Sequence, residues 1–210
     1  MKITWYGHAC MEIEEGGYRV VCDPFSPGSV PGMPDVKAVA DAVFCSHGHD
    51  DHSCAKAVEK ISSGSEPFRV TEIQTFHDDT EGSKRGKNTV YVFDTPAGLR
   101  AVHLGDLGHM LSEEALGKIG NPDVLMIPVG GFFTIDAKTA KNLCDRLQPR
   151  VVIPMHYRGK NFGYDVIAPV EDFLALWEPE MISCLPGQTA EITAETKPGV
   201  WVYTPPTETE

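Results

Sequence analysis

Residues 46–53 read SHGHDDHS, and the fold turns on how that stretch is explained. Three histidines (His47, His49, His52) and two aspartates (Asp50, Asp51) fall within six consecutive positions. Imidazoles titrate near neutral pH and carboxylates are ionised there, so the segment concentrates metal-ligand atoms. A histidine-rich surface turn is the plain account. The sharper one is half of a metal site, with the other half supplied elsewhere in the chain. Just before it, DAVFCS reads as a buried strand, which would place the cluster at a strand's C-terminal end.

The same arrangement recurs downstream. His77 ends VTEIQTF, Asp106 follows LRAVHLG and His156 follows RVVIPM, each an apolar, β-branched run. Strand ends can converge on one sandwich edge, where rigid sheet fixes what the loops carry. The candidate ligands His47, His49, Asp51, His52, His77, Asp106 and His156 are too many for one tetrahedral ion and suit two ions sharing a bridge. Asp50 is not expected to bind.

These motifs resemble the metallo-β-lactamase superfamily. HGHDDH matches its H-x-H-x-D-H signature, and FHD, HLGD and PMHY follow in the family's order. The opening WYGHACMEIEEGGYRVVCDPF and the segment MIPVGGFFTI are more particularly similar to small Zn-dependent hydrolases related to L-ascorbate-6-phosphate lactonase. The resemblance implies an α/β fold, a four-layer αβ/βα sandwich, over nearly the whole chain. It also implies His47, His49 and His77 on one divalent ion, Asp51, His52 and His156 on a second, and Asp106 bridging. Zinc is the first expectation for both ions, with manganese or iron as alternatives. A water held between two cations loses its proton near neutral pH and becomes the nucleophile, with Asp51 orienting it as the catalytic carboxylate. His49 stands where the superfamily's diiron flavoproteins have Glu, and Asp106 where the best-known zinc β-lactamases have Cys. The expected reaction is therefore hydrolysis of a small anionic ester, such as a phosphodiester or a (phospho)lactone.

Composition sets outer bounds. The chain has 210 residues, 41% of them hydrophobic, enough for one domain expected over 1–204 with a flexible tail at 205–210. Its formal net charge of −12 argues against nucleic-acid or anionic-membrane partners. The six cysteines are scattered without a C-x-x-C pair, and the opening residues carry no long apolar run. Reduced, buried thiols and a cytoplasmic location are the expectation. Hairpin-like strands fill the first part of the chain, while strands alternating with helices fill the second. SCAKAVEKISS, residues 53–63, reads as a short helix capped by Ser53. Helices are also expected over SEEALGKIG, DAKTAKNLCDRLQ and VEDFLALWE.

Further candidates are weaker. His8 in WYGHAC and Asp23 in CDP stand at strand ends, the first as a substrate-facing group or a satisfied turn histidine, the second to orient a ligand imidazole. Arg85 and Lys87 sit in the glycine-rich loop GSKRGKN, either to capture a phosphate or carboxylate or as a solvated hairpin tip. His109 and Thr134 could line the pocket, as could backbone N–H groups of Gly130 and Gly131. His103, inside an apolar strand, is expected to be buried and hydrogen-bonded instead. Two other functions compete: a nuclease of the same superfamily, and a non-catalytic member that binds a ligand. Trp177 and Trp201 raise a homo-oligomer contact.

Overall fold

The computed structural model describes residues 1–207. In chain order the strands are β1 (Lys2–Gly7), β2 (Cys10–Glu15), β3 (Tyr18–Cys22), β4 (Ala38–Ala40), β5 (Ala42–Phe44), β6 (Val58–Lys60), β7 (Arg69–Phe76), β8 (Lys87–Asp94) and β9 (Arg100–His103). Helix α1 (Glu113–Ile119), β10 (Val124–Pro128), α2 (Ala137–Leu147), β11 (Val151–Met155), α3 (Val170–Leu174), β12 (Ile182–Cys184), β13 (Thr189–Glu191) and β14 (Gly199–Val202) follow.

Two mixed sheets carry the fold. One runs β13-β1-β2-β3-β5, and the other β12-β14-β11-β10-β9-β8-β7. The first begins as an antiparallel meander, with β5 added parallel to β3. In the second, β9, β10, β11 and β14 are parallel. Helices α1 and α2 are the crossovers that such pairing demands. Every residue of β10 and β11 is buried, as expected of central parallel strands covered on both faces.

The sheets face each other through aromatic contacts. Phe44 on β5 meets Tyr91 and Phe93 on β8, each at 5.2 Å between centroids and edge-on. The Tyr91 hydroxyl donates to the Cys45 carbonyl at 2.9 Å, tying the end of β5 to the opposite sheet. Trp5, Phe25, Phe93 and Phe173 are fully buried, each worth roughly 1.5–3 kcal/mol in apolar burial.

The helices form where the sequence signals agree. Ser112 caps α1 by accepting from Ala115 N–H, and Asp136 caps α2 by accepting from Thr139 N–H. Ala140, Leu143, Cys144 and Leu147 make the buried stripe of α2 at helical spacing. Residues 53–63 depart from expectation. They form a 3-10 turn at Ala55–Ala57 and then β6, which pairs parallel with β4. Ser53 caps nothing; its hydroxyl donates to the His49 carbonyl at 2.9 Å. Of Ala55–Lys60 only Val58 is buried, so a helix there would have no apolar stripe to seat.

One smaller expectation also changes. Cys10, Cys22, Cys54 and Cys144 are core residues, but Cys45 is half-buried and Cys184, on edge strand β12, is exposed. Within the tail expected at 205–210, Pro205 and Pro206 are half-buried, and Pro206 and Thr207 line a cleft with Tyr6 and Met33. Residues 208–210 lie outside the described residues. Trp177 packs on Phe173 of its own chain, and the Lys141 ammonium lies 4.7 Å from its ring centroid. No helix among the described residues is long and apolar enough to cross a membrane.

Candidate metal centre

The candidate ligands come from strand ends of both sheets. His47, His49, Asp51 and His52 occupy the loop after β5, and His77 immediately follows β7. Asp106 lies just beyond β9, and His156 immediately follows β11. The turn between β1 and β2 contributes His8, and Asp23 follows β3. His8, Asp23 and His156 all adopt left-handed backbone, at φ of 52°, 50° and 52°. Such non-glycine residues cost on the order of 1–3 kcal/mol each and persist only where surrounding structure holds them. Here it does: the Asp23 N–H donates to the Phe44 carbonyl, and the His8 carbonyl accepts from both Trp5 Nε1 and His156 N–H.

At the centre, one carboxylate oxygen meets four imidazoles. Asp106 Oδ2 lies 3.1 Å from His77 Nε2, 3.2 Å from His52 Nε2, 3.2 Å from His156 Nε2 and 3.9 Å from His47 Nε2. Donor atoms of His47, His49 and His77 lie within 4.8 Å of one another, as do those of His8, Asp51, His52 and His156, and those of His47, His52 and Asp106. Donors sharing an ion at about 2.0–2.2 Å stand roughly 3–4 Å apart, so these spacings fit metal ligation.

The unsatisfied atoms agree. Buried side-chain atoms without a hydrogen-bond partner include both ring nitrogens of His8, one each on His47, His52, His77 and His156, and Asp106 Oδ1. Among the described residues only Arg19 and Trp177 supply others. Each such atom costs about 1–3 kcal/mol. The Nε2 atoms of His47 and His52, both nitrogens of His8 and Asp106 Oδ1 gather at the cluster and could serve a cation, whereas the orphans on His77 and His156 are Nδ1, with Nε2 the atom turned to Asp106.

Outer partners fix the imidazoles. Asp23 Oδ2 accepts from His52 Nδ1 at 2.9 Å, while its carboxylate also takes the Ser46 N–H and hydroxyl, both at 2.6 Å. Because the Ser46 hydroxyl donates to Asp23, it accepts from His47 Nδ1 at 2.9 Å. Both rings therefore turn Nε2 inward. Asn88 Oδ1 accepts the Asp106 N–H at 2.9 Å, and its amide donates to Thr75 Oγ1 and the Leu104 carbonyl.

Electrostatics follow the same layout. Burial pushes the His47 imidazole down to about 3 and that of His8 down to about 4. Burial opposes charge on His52 too, but Asp106 and Asp23 outweigh it and raise that imidazole well above its usual range. Burial would raise the Asp106 carboxyl; His156 and His52 instead carry it far below. Asp51 is held low in the same way, by His8 and His52 against burial.

A cleft of about 330 Å³ opens over these groups, lined by His49, Asp51, His77, Arg85, Asp106, Phe133, His156 and Tyr164. Arg85 thus reaches the site, its guanidinium carbon 5.5 Å from the Phe133 ring centroid. Lys87 does not; it begins β8 with an exposed side chain. His109 is also turned away, its Nε2 accepting from Phe76 N–H and its Nδ1 donating to the Met110 carbonyl. Thr134 is buried and bonds to the Ile135 carbonyl. Gly131 spends its N–H on Ile135, and Gly130 packs so closely on the His156 carbonyl that a Cβ would stand 2.2 Å from it. That segment is a tight connection. His103 is buried as expected, bonded to the Ala9 carbonyl and the Gly105 N–H. Asp50 is exposed and belongs to none of the donor groups.

Sequence reasoning missed Ser46, Asn88, Phe133 and Tyr164. The Tyr164 hydroxyl donates to the Ser29 carbonyl at 2.9 Å and lies 3.3 Å from Asp51 Oδ2. Nothing local marks Tyr164, whereas Ser46 directly precedes the histidine cluster and was open to inference.

Comparison with known proteins agrees with this geometry. Residues 2–156 match the family described as Beta-lactamase superfamily domain. A UPF0173 metal-dependent hydrolase of Thermoplasma volcanium is 30% identical over 201 residues, 80% of this chain and 86% of that protein. Another, from Methanopyrus kandleri, is 29% identical over 194 residues, 75% of this chain and 84% of that protein. Among solved structures, a candidate Zn-dependent hydrolase of the superfamily from Thermotoga maritima superposes with a TM-score of 0.75 at 36% identity, covering 96% of this chain and 97% of that one. The chain belongs to the metallo-β-lactamase superfamily and is one of its metal-dependent hydrolases.

Proposed function

We propose that the protein uses two divalent ions, zinc first, to hydrolyse a small anionic ester in the cytoplasm, with phosphodiesters and (phospho)lactones as the substrate classes. The observation that carries this reading is the single Asp106 oxygen set among the Nε2 atoms of His47, His52, His77 and His156. His47, His49 and His77 would hold one ion, Asp51, His52 and His156 the other, and Asp106 both. When bound, such ions supply Lewis-acid charge and lower the pKa of water at the site.

The chain's own groups do the rest. Asp51, at the cleft wall, accepts a hydrogen bond from the attacking water and sets its direction. Arg85 gives a fixed cation for the substrate's anionic group, and Phe133 packs against the guanidinium and limits its swing. The cleft volume is at the low end for small-molecule sites, which fits a small substrate. A phosphorylated lactone is the first compound to assay, on the resemblance to L-ascorbate-6-phosphate lactonase.

Metal content should be read by mass spectrometry on protein purified without added metal or chelator. About two ions per chain are expected. Those preparations should hydrolyse a phosphodiester or phospholactone, and Arg85→Ala should raise KM about tenfold with a smaller change in kcat. Two bound ions with no turnover on either class would overturn the substrate reading, and absence of metal uptake would overturn the reading as a whole.

A further inference from the structure

We infer that His8 is a fourth protein donor at the second metal position, beside Asp51, His52 and His156. This rests on the metal-binding reading above and adds a ligand delivered by the first turn of the chain.

His8 is 1% exposed, yet neither ring nitrogen has a hydrogen-bond partner. A satisfied turn histidine would use at least one. Its ring centroid lies 4.1 Å from that of His156 and 5.2 Å from that of His52, and its Nε2 is 3.4 Å from Asp51 Oδ2. One donor atom from each of the four residues falls within 4.8 Å of the others. The backbone is arranged for this inward aim. Left-handed φ at a non-glycine position is retained, and two donors, Trp5 Nε1 at 3.0 Å and His156 N–H at 3.3 Å, clamp the carbonyl. Glycine or asparagine would make the turn more cheaply, but neither puts an imidazole among three other ligand atoms.

With Asp106 shared, the second position then has five protein donors, against four at the first. The two positions differ in kind. Four donors suit tetrahedral zinc, whereas five suit an ion that accepts five or six ligands, as manganese and iron do.

The decisive test uses unaltered protein, loaded with an NMR-active cadmium isotope and carrying nitrogen-15 histidine. Scalar coupling between cadmium and a ring nitrogen reports a direct bond. Coupling of His8 to the same cadmium as His52 and His156 is the expected result. Coupling of those two without His8 overturns the proposal while leaving the metal site intact, and no cadmium uptake at all overturns both. His8→Asn, which tolerates the left-handed turn, gives a second readout. Chelator competition should show the second ion bound at least about tenfold more weakly, with the first unchanged. A second ion held as tightly as in unaltered protein would count against His8 as a ligand.

Discussion

Asp23 touches no cleft, yet it decides which way His52 faces. Its Oδ2 accepts from Nδ1 at 2.9 Å, and that turns Nε2 toward Asp106, 3.2 Å away. Asp23→Ala removes the acceptor and also frees Ser46, on which His47 leans. We expect a loss of 10–100-fold in metal affinity, roughly the range for removing such outer partners, read by chelator competition. Unchanged affinity would show that packing alone fixes the rings. His103 gives a test of a different sort. It donates from Nε2 to Ala9 and accepts at Nδ1 from Gly105, so it is held neutral, and burial lowers its pKa despite the Asp23 charge. In the unfolded chain the same group titrates near about 6.5. Unfolding therefore takes up a proton below that pH, and this contribution to stability is present above pH about 6.5 and lost as the pH falls. Urea unfolding of metal-free protein should show stability dropping between pH 7 and 5, by up to about 1.4 kcal/mol per unit from this residue. His103→Gln should flatten that slope; identical slopes would remove His103 from the account.

Loop 78–86, between β7 and β8, is the element that brings Arg85 to the cleft. Asp78 builds it by accepting the N–H groups of Thr80 at 2.8 Å, Gly82 at 2.9 Å, Lys84 at 3.0 Å and Arg85 at 2.7 Å. Without that carboxylate the loop loses its internal frame and Arg85 its position. Asp78→Ala should raise KM for an anionic substrate about tenfold with less effect on kcat, because positioning of substrate is what suffers. A fall in kcat with KM unchanged would point to disturbance of neighbouring His77 instead. Element identity was mostly legible in sequence, since apolar runs, Ser112 and Asp136 caps and the α2 stripe are local signals. The segment 53–63 was not, because a lone buried Val58 and a partner strand, Ala38–Ala40, far back in the sequence outweigh local helix preference.

Across the whole molecule, the donor set joins strand ends from both sheets, from His8 near one end of the chain to His156. An ion bound there binds only folded protein, so it stabilises by mass action, about 2.7 kcal/mol at a hundredfold excess over Kd. For a chain of this size that corresponds to roughly 5–10 °C in melting temperature. Calorimetry of chelated and metal-reloaded protein should show that gap. Coincident transitions would mean that the cluster does not link the sheets through metal.

The sequence by itself determined the candidate ligand types, their order and their place at strand ends, because hydrophobic runs and the SHGHDDHS cluster are contiguous in the chain. Tertiary structure decided which neighbours serve them. Lys87 and Asn88 are adjacent on β8, and pairing with β7 turns the first outward and the second onto Asp106. Successive strand residues point to opposite faces, so register fixes the choice and composition cannot. Tyr164 and His8 reach the site across long sequence separations, and His109 is drawn off it by the Phe76 N–H. Those outcomes depend on left-handed turns and cross-chain hydrogen bonds that exist only once the two sheets have closed on each other.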